Sequence, residues 1–202
     1  MLHGFMNAGR LEAGCDEAGR GCLAGRVYAA AVILPEDFFH PDLDDSKKIK
    51  ESKRFELRKF IQKHALSWAV AFAEPEEIDK INILNASILS MQRALDGLNP
   101  TPDFILVDGN KFKPYKNIPY ECVVKGDTIY ASIAAASILA KTYRDEYMAE
   151  ISTEFPDYKW NKNKGYPTEY HRKIISAVGT CPYHRKTFGH EYKQLKLFPS
   201  SV

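Results

Sequence analysis

The chain has 202 residues, 45% of them hydrophobic and 27% charged, with a formal net charge of only +2. That length suits one domain, or one domain with a small appendage, and the apolar fraction is ample for a core, which excludes a disordered chain. The charge is far from the strongly basic balance of proteins that bind polyanions by charge alone. No apolar run approaches the ~18 residues of a membrane span, and the N-terminus has no apolar signal core, so a cytoplasmic protein is expected. Cys15, Cys22, Cys122 and Cys181 lack short zinc-type spacing and read as free thiols of a reducing compartment.

In chain order, Leu11 to Cys15 and Val27 to Leu34 are short apolar runs bounded by Gly or Pro and predict two strands joined by a glycine-rich turn. From Glu51 to Ala65, apolar Phe55, Leu57, Phe60 and Ile61 alternate with charges in the pattern of an amphipathic helix on a sheet face. Ser67 to Ala73 predicts a strand, Pro75 opens a short helical turn, and Ile83 to Leu95 predicts a helix stopped by Gly97-Leu98-Asn99-Pro100. Phe104 to Val107 and Glu121 to Val124 predict further strands. The longest helical candidate runs from Thr128 to about Ile151, and its Ala and Ser residues allow close approach to a sheet. Beyond Phe155-Pro156 the composition turns basic and aromatic, with a helix predicted from Thr168 to Val178. Strands interleaved with helices predict an α/β fold, with residues 1–155 as the main domain and residues 156–202 as a basic helical C-terminal subdomain and tail.

Four carboxylates fall where predicted strands meet turns or helices: Asp16, Glu17, Asp108 and Asp127. Carboxylates gathered at one end of a sheet repel one another unless a divalent cation such as Mg²⁺ or Mn²⁺ lies among them. Each also has a plainer reading. Asp16 suits a turn cap, Glu17 a solvated position, Asp108-Gly109 is a hairpin dipeptide, and Asp127 suits the N-cap of the long helix. Asp16 and Glu17 are adjacent and would point to opposite faces of a regular strand, so a turn is expected to begin between them.

The block from Gly14 to Leu34 resembles the signature of the prokaryotic type 2 ribonucleases H, the ribonuclease HII family. Further blocks follow in the family's order: Asp45-Ser46-Lys47-Lys48, Ile105 to Asn110, Lys125-Gly126-Asp127 with Ser132 to Lys141, and Lys164 to Thr168 with His184 to Phe188. The resemblance implies a ribonuclease H-like fold, with a central mixed β-sheet flanked by helices and a small helical C-terminal subdomain. It implies an endoribonuclease using Mn²⁺ or Mg²⁺, held by Asp16, Glu17, Asp108 and Asp127. Such an enzyme cuts 5′ to ribonucleotides embedded in duplex DNA and degrades RNA in RNA–DNA hybrids, leaving 3′-hydroxyl and 5′-phosphate ends, as ribonucleotide excision repair requires. Gly19, Arg20 and Gly21 match the element whose backbone reads the 2′-hydroxyl, the group that separates RNA from DNA. Tyr166 matches the tyrosine that packs on the next sugar. Lys47 and Arg185 are expected to hold phosphates, with a solvated lysine run as the alternative for Lys47-Lys48. Asp145 reads instead as an i,i+4 ion pair with Lys141, and His171 and His184 are assigned no catalytic role. Cys22 and Arg26 stand where the family usually carries proline, and Arg26 is expected to add a charge near the substrate. Thr187 replaces a more usual serine.

Two other functions are weighed: a structure-selective DNA nuclease, which would use the same carboxylates but has no need of the glycine element beside Tyr166, and a noncatalytic hybrid-binding protein, which gains nothing from an anionic pocket facing phosphate. Basic residues from Lys159 to Lys196 predict a wing for the nucleic-acid backbone. The tail Gln194-Leu195-Lys196-Leu197-Phe198 is similar to peptides that dock on the bacterial sliding clamp. Gln194, Leu195, Leu197 and Phe198 are its candidate anchors, and packing on the body of the protein is the alternative.

Overall fold

The computed structural model describes residues 2–43 and 49–189. Strands β1 (Glu12–Ala18), β2 (Val27–Ile33), β3 (Ser67–Ala73), β4 (Phe104–Asp108) and β5 (Tyr120–Val123) form one sheet in the order β3-β2-β1-β4-β5. β1 pairs antiparallel to β2 and β2 antiparallel to β3, whereas β1, β4 and β5 run parallel. The expected mixed α/β sheet is thus present. Its parallel half matters most, because the carboxyl ends of three strands meet at one edge.

Helices α1 (Glu51–His64), α2 (Pro75–Ile81), α3 (Ile83–Asp96), α4 (Ala131–Glu154), α5 (Trp160–Asn163) and α6 (Glu169–Val178) complete the chain. α3 covers one face of the sheet, where Met91, Ala94 and Leu95 pack on Ala13, Cys15, Ile105 and Val107. α4 and α1 cover the other, where Ile138, Leu139, Leu57 and Ile61 pack on Ala30 and Val32. The alanines of α4 let it lie close, and Gly14 meets it from β1: a Cβ there would stand 2.3 Å from the Ser132 carbonyl carbon. The C-terminal elements share a third cluster with the main body, in which Tyr158, Trp160 and Ile175 pack on Leu23, Tyr28, Tyr147 and Met148.

Two boundaries differ from expectation for physical reasons. β1 does not turn between Asp16 and Glu17, because pairing with β2 continues through Asp16↔Ala30 and Glu17↔Ala29 to Ala18↔Tyr28. α4 begins at Ala131 with Tyr130 as its N-cap. Residues Gly126–Thr128 form a separate 3₁₀ turn, so Asp127 does not cap the long helix.

Candidate active site

Parallel pairing of β1 with β4 runs from Glu12↔Phe104 to Cys15↔Val107, so Asp16 and Asp108 are the next residues on adjacent strands. Side chains in register on parallel neighbours share a face, and strands lie about 4.8 Å apart. Cys15 and Val107 face α3, which turns Asp16 and Asp108 toward α4. Asp108 Oδ1 accepts the Gly126 N–H at 2.7 Å, and Asp16 is bonded by Ser137 of α4 and accepts the Glu17 N–H at 2.7 Å. Glu17 takes the alternate direction along β1, bordering a small cleft with Ser87, Met91 and Asp108 on the α3 side.

Opposite directions do not separate the two acids, because both stand at the open end of the sheet. Asp16, Glu17 and Asp108 border one cavity of about 220 Å³ together with Gly19, Arg20, Gly21, Ser137, Lys141 and Tyr166. Burial, then the charges of Glu17 and Asp108, holds the Asp16 carboxyl well above the usual carboxylate range. Arg20 reaches Glu17 at 3.0 Å. Asp127 is buried one residue beyond Gly126, whose N–H holds Asp108, and it is not among the residues that border this cavity.

Among the described residues no three His, Cys, Asp or Glu side chains form a ready-made metal cage. The donors present nonetheless fit a hard divalent cation, which is commonly bound by one or two carboxylates completed by waters and substrate phosphates. The carboxylates bordering one cavity and the raised Asp16 are what such an ion would relieve.

Of the expected sugar-reading residues, Gly19, Arg20, Gly21 and Tyr166 do border the carboxylate cavity. Arg185 does not face it. The side chain is fully buried and its guanidinium donates to the main-chain oxygens of Gly19 (2.7 Å), Arg20 (2.9 Å), Gly25 (3.0 Å) and Arg26 (3.3 Å), so the expected phosphate contact is corrected to a contact with the glycine loop. Arg26 is likewise spoken for: it pairs with Glu74 at 2.7 Å and lies over the rings of Phe72 and Tyr147, which removes the extra charge expected near substrate. Lys47 and the tail anchors Gln194, Leu195, Leu197 and Phe198 lie outside the described residues. Within the basic wing Lys159 and Lys162 are exposed, whereas Lys173 pairs with Glu169 and Lys164 with Glu51.

Sequence reasoning missed Ser137 and Lys141 as walls of the cavity. The signal was present as an i,i+4 series on a helix otherwise rich in buried apolar residues: Ser137, Lys141 and Asp145 share one face of α4. Asp145 bonds Lys141 at 2.6 Å and lies 3.6 Å from Arg54, so it acts as the expected ion-pair partner and aims the lysine. His171 and His184 form a buried pair under the Tyr166 turn. The Trp160 indole donates to His171 Nε2 at 3.0 Å, and His171 Nδ1 bonds the Tyr166 carbonyl at 2.9 Å.

A mixed five-stranded sheet covered by helices, with acids at the ends of neighbouring parallel strands, places the protein in the ribonuclease H-like class. In fold it is similar to the ribonuclease H2 from Pyrococcus horikoshii OT3, with a TM-score of 0.74 at 24% identity over 89% of this chain and 94% of that one. It is also similar to the ribonuclease HII of Archaeoglobus fulgidus, solved as its complex with PCNA (TM-score 0.72, 24% identity, 93% and 100% covered). The ribonuclease HII family profile matches residues 13–193. Ribonuclease HII of Parabacteroides distasonis is 60% identical over 98% of this chain and 99% of its own length, and that of Christiangramia forsetii 58% over 96% and 98%. The chain therefore belongs to the ribonuclease HII family, and is an endonuclease of the ribonuclease H type.

Proposed function

We propose that the protein is a divalent-cation-dependent endoribonuclease that cuts on the 5′ side of ribonucleotides embedded in duplex DNA and within RNA–DNA hybrids, leaving 3′-hydroxyl and 5′-phosphate ends. The observation that carries this reading is the single cavity in which the carboxylates meet the Gly19-Arg20-Gly21 loop and Tyr166. Cutting chemistry and sugar recognition then act on adjacent atoms of one nucleotide. Asp16, Glu17, Asp108 and Asp127 would hold the cation, Asp127 standing one residue beyond Gly126, whose N–H holds Asp108. Bound there, Mg²⁺ or Mn²⁺ supplies an activated water and neutralises charge on phosphate. A Mn²⁺ complex of Bst-RNase HIII, similar in fold with a TM-score of 0.64, is in keeping with that choice.

The remaining work belongs to the chain's own residues. Lys141, held by Asp145, offers a cation to a phosphate oxygen. Arg20 is half exposed and exchanges its Glu17 contact for substrate. The Tyr166 ring, 40% exposed, gives a flat apolar face to a sugar. The substrate sets the place of work as the cytoplasm, in repair of misincorporated ribonucleotides. Residues 190–202 dock on the sliding clamp, a reading supported by the archaeal PCNA complex; a synthetic peptide of that segment that shows no clamp binding refutes it.

The deciding experiment is cleavage of a labelled duplex carrying one ribonucleotide, against an all-DNA control, with Mg²⁺ or Mn²⁺ and with chelator, for wild type and Asp108→Asn. A metal-dependent nick 5′ to the ribonucleotide, absent from the variant and the control, is expected. Equal cutting of all-DNA would replace the proposal with a DNA nuclease.

A further inference from the structure

Two fully buried arginines lie beneath the cavity, and neither guanidinium is turned toward it. Arg144 of α4 donates to the carbonyls of Arg26 (3.1 Å), Lys164 (2.9 Å) and Ala24 (3.2 Å). Arg185 donates to Gly19, Arg20, Gly25 and Arg26 as described above. Between them they grip the glycine loop and the segment that leads into Tyr166. The two segments also touch directly, since Leu23 N–H bonds the Gly165 carbonyl at 2.8 Å and Arg185 N–H bonds the Leu23 carbonyl at 2.9 Å. Glycine is required at both contact points. A Cβ on Gly19 would stand 2.0 Å from Arg144 Nε and one on Gly165 2.8 Å from the Ala24 oxygen, and both glycines have positive φ.

A core that needed only packing would not bury two guanidiniums, because desolvating a cation is expensive. What a guanidinium offers is a rigid planar fork of five donors, able to fix several carbonyls at once. In a trans peptide the C=O and the following N–H point in opposite directions. Drawing the Gly19 and Arg20 oxygens inward to Arg185 therefore turns the N–H groups of Arg20 and Gly21 outward, on the side of the loop that borders the cavity.

We propose that Arg144 and Arg185 are positioning residues that lock the glycine loop and the Tyr166 turn into one sugar-reading unit, by holding main-chain oxygens inward so that the Arg20 and Gly21 N–H groups face the substrate. The inference rests on the sugar-reading function proposed above. Neither arginine touches the substrate, and both act through the backbone.

The test pairs wild-type hydrogen exchange with binding by conservative variants. In the free wild-type protein the Arg20 and Gly21 amides exchange fast. A duplex with one ribonucleotide slows them, and an all-DNA duplex does not. Amides already protected in the free protein, or protected equally by both duplexes, overturn the proposal without any variant. For Arg185→Lys and Arg144→Lys, binding of the two duplexes is compared in Ca²⁺ by fluorescence anisotropy, with circular dichroism confirming the fold. The preference for the ribonucleotide duplex falls about tenfold, as expected for roughly one lost hydrogen bond, while all-DNA affinity stays within about twofold because phosphate contacts carry no sugar information. An unchanged preference in a folded variant overturns the proposal, and if neither variant folds, the wild-type exchange decides. A wild type that fails to cut the ribonucleotide duplex removes the functional reading itself, whereas a wild type that cuts, beside variants with intact preference, removes only this inference.

Discussion

Gly14→Ala adds one methyl group at the closest approach between β1 and α4. The new Cβ would lie 2.3 Å from the Ser132 carbonyl carbon, 2.4 Å from Ile133 N and 2.6 Å from Ser132 O, whereas ordinary contact begins at 3.4 Å. All three are backbone atoms in the first turn of α4, so no side chain can swing aside and the helix itself must retreat. Replacing glycine elsewhere commonly stabilises by about 0.4–1 kcal/mol through the unfolded chain. Here overpacking, at the upper end of about 1–3 kcal/mol, outweighs that gain. For a chain of this size the net loss lowers the Tm by about 4–10 °C. Activity falls further than stability. The retreating helix carries Ser137 and Lys141, and Asp16 lies two residues from the substitution, so a displacement of about 1 Å lowers kcat/KM by up to about 100-fold. Thermal unfolding followed by near-UV circular dichroism, with cleavage assayed well below the transition, measures both. A variant as stable as wild type and fully active would refute the close-packing argument.

Asp16→Asn should separate stability from activity. The folded carboxyl titrates above its ordinary value of 3.8 because of burial and the charges of Glu17 and Asp108. The folded state then binds its proton more tightly than the unfolded chain, so this group's contribution is intact below about pH 4 and falls as pH rises through the folded value. In chelator at neutral pH the variant is expected to be more stable than wild type by about 1 kcal/mol, with a flatter pH dependence, no cleavage and no rise in Tm on adding Mg²⁺; a less stable variant in denaturant titrations would contradict this. Asp145→Asn leaves Lys141 and Arg54 without their shared acid. It should cost about 2 kcal/mol yet retain metal-dependent cutting, and complete loss of cleavage would make Asp145 part of the chemistry instead. His171→Ala frees the Trp160 indole and the Tyr166 carbonyl. Steady-state kinetics on the one-ribonucleotide duplex should show KM raised several-fold with kcat little changed, and the reverse split would count against a role in holding the Tyr166 turn.

Local pattern determined much of this protein. Short apolar runs between Gly and Pro became strands, the amphipathic pattern from Glu51 to Ala65 became α1, with Leu57 and Ile61 buried, and acids at strand ends became the wall of a cavity, because each depends on residues within a few positions of one another. The turn placed between Asp16 and Glu17 and the cap assigned to Asp127 were not legible, since where β1 ends depends on its pairing with β2 and where α4 starts depends on its docking to the sheet. Arg185 shows the limit most clearly. In sequence it sits among basic residues like any phosphate contact, yet its partners are carbonyls some 160 positions earlier in the chain. Charge and spacing describe what a side chain offers, and they do not say which oxygen atoms the fold brings to it. The residue types of the site were therefore determined by the sequence, while the division between groups that meet substrate and groups that hold those groups still was decided only when the glycine loop, α4 and the Tyr166 turn packed together.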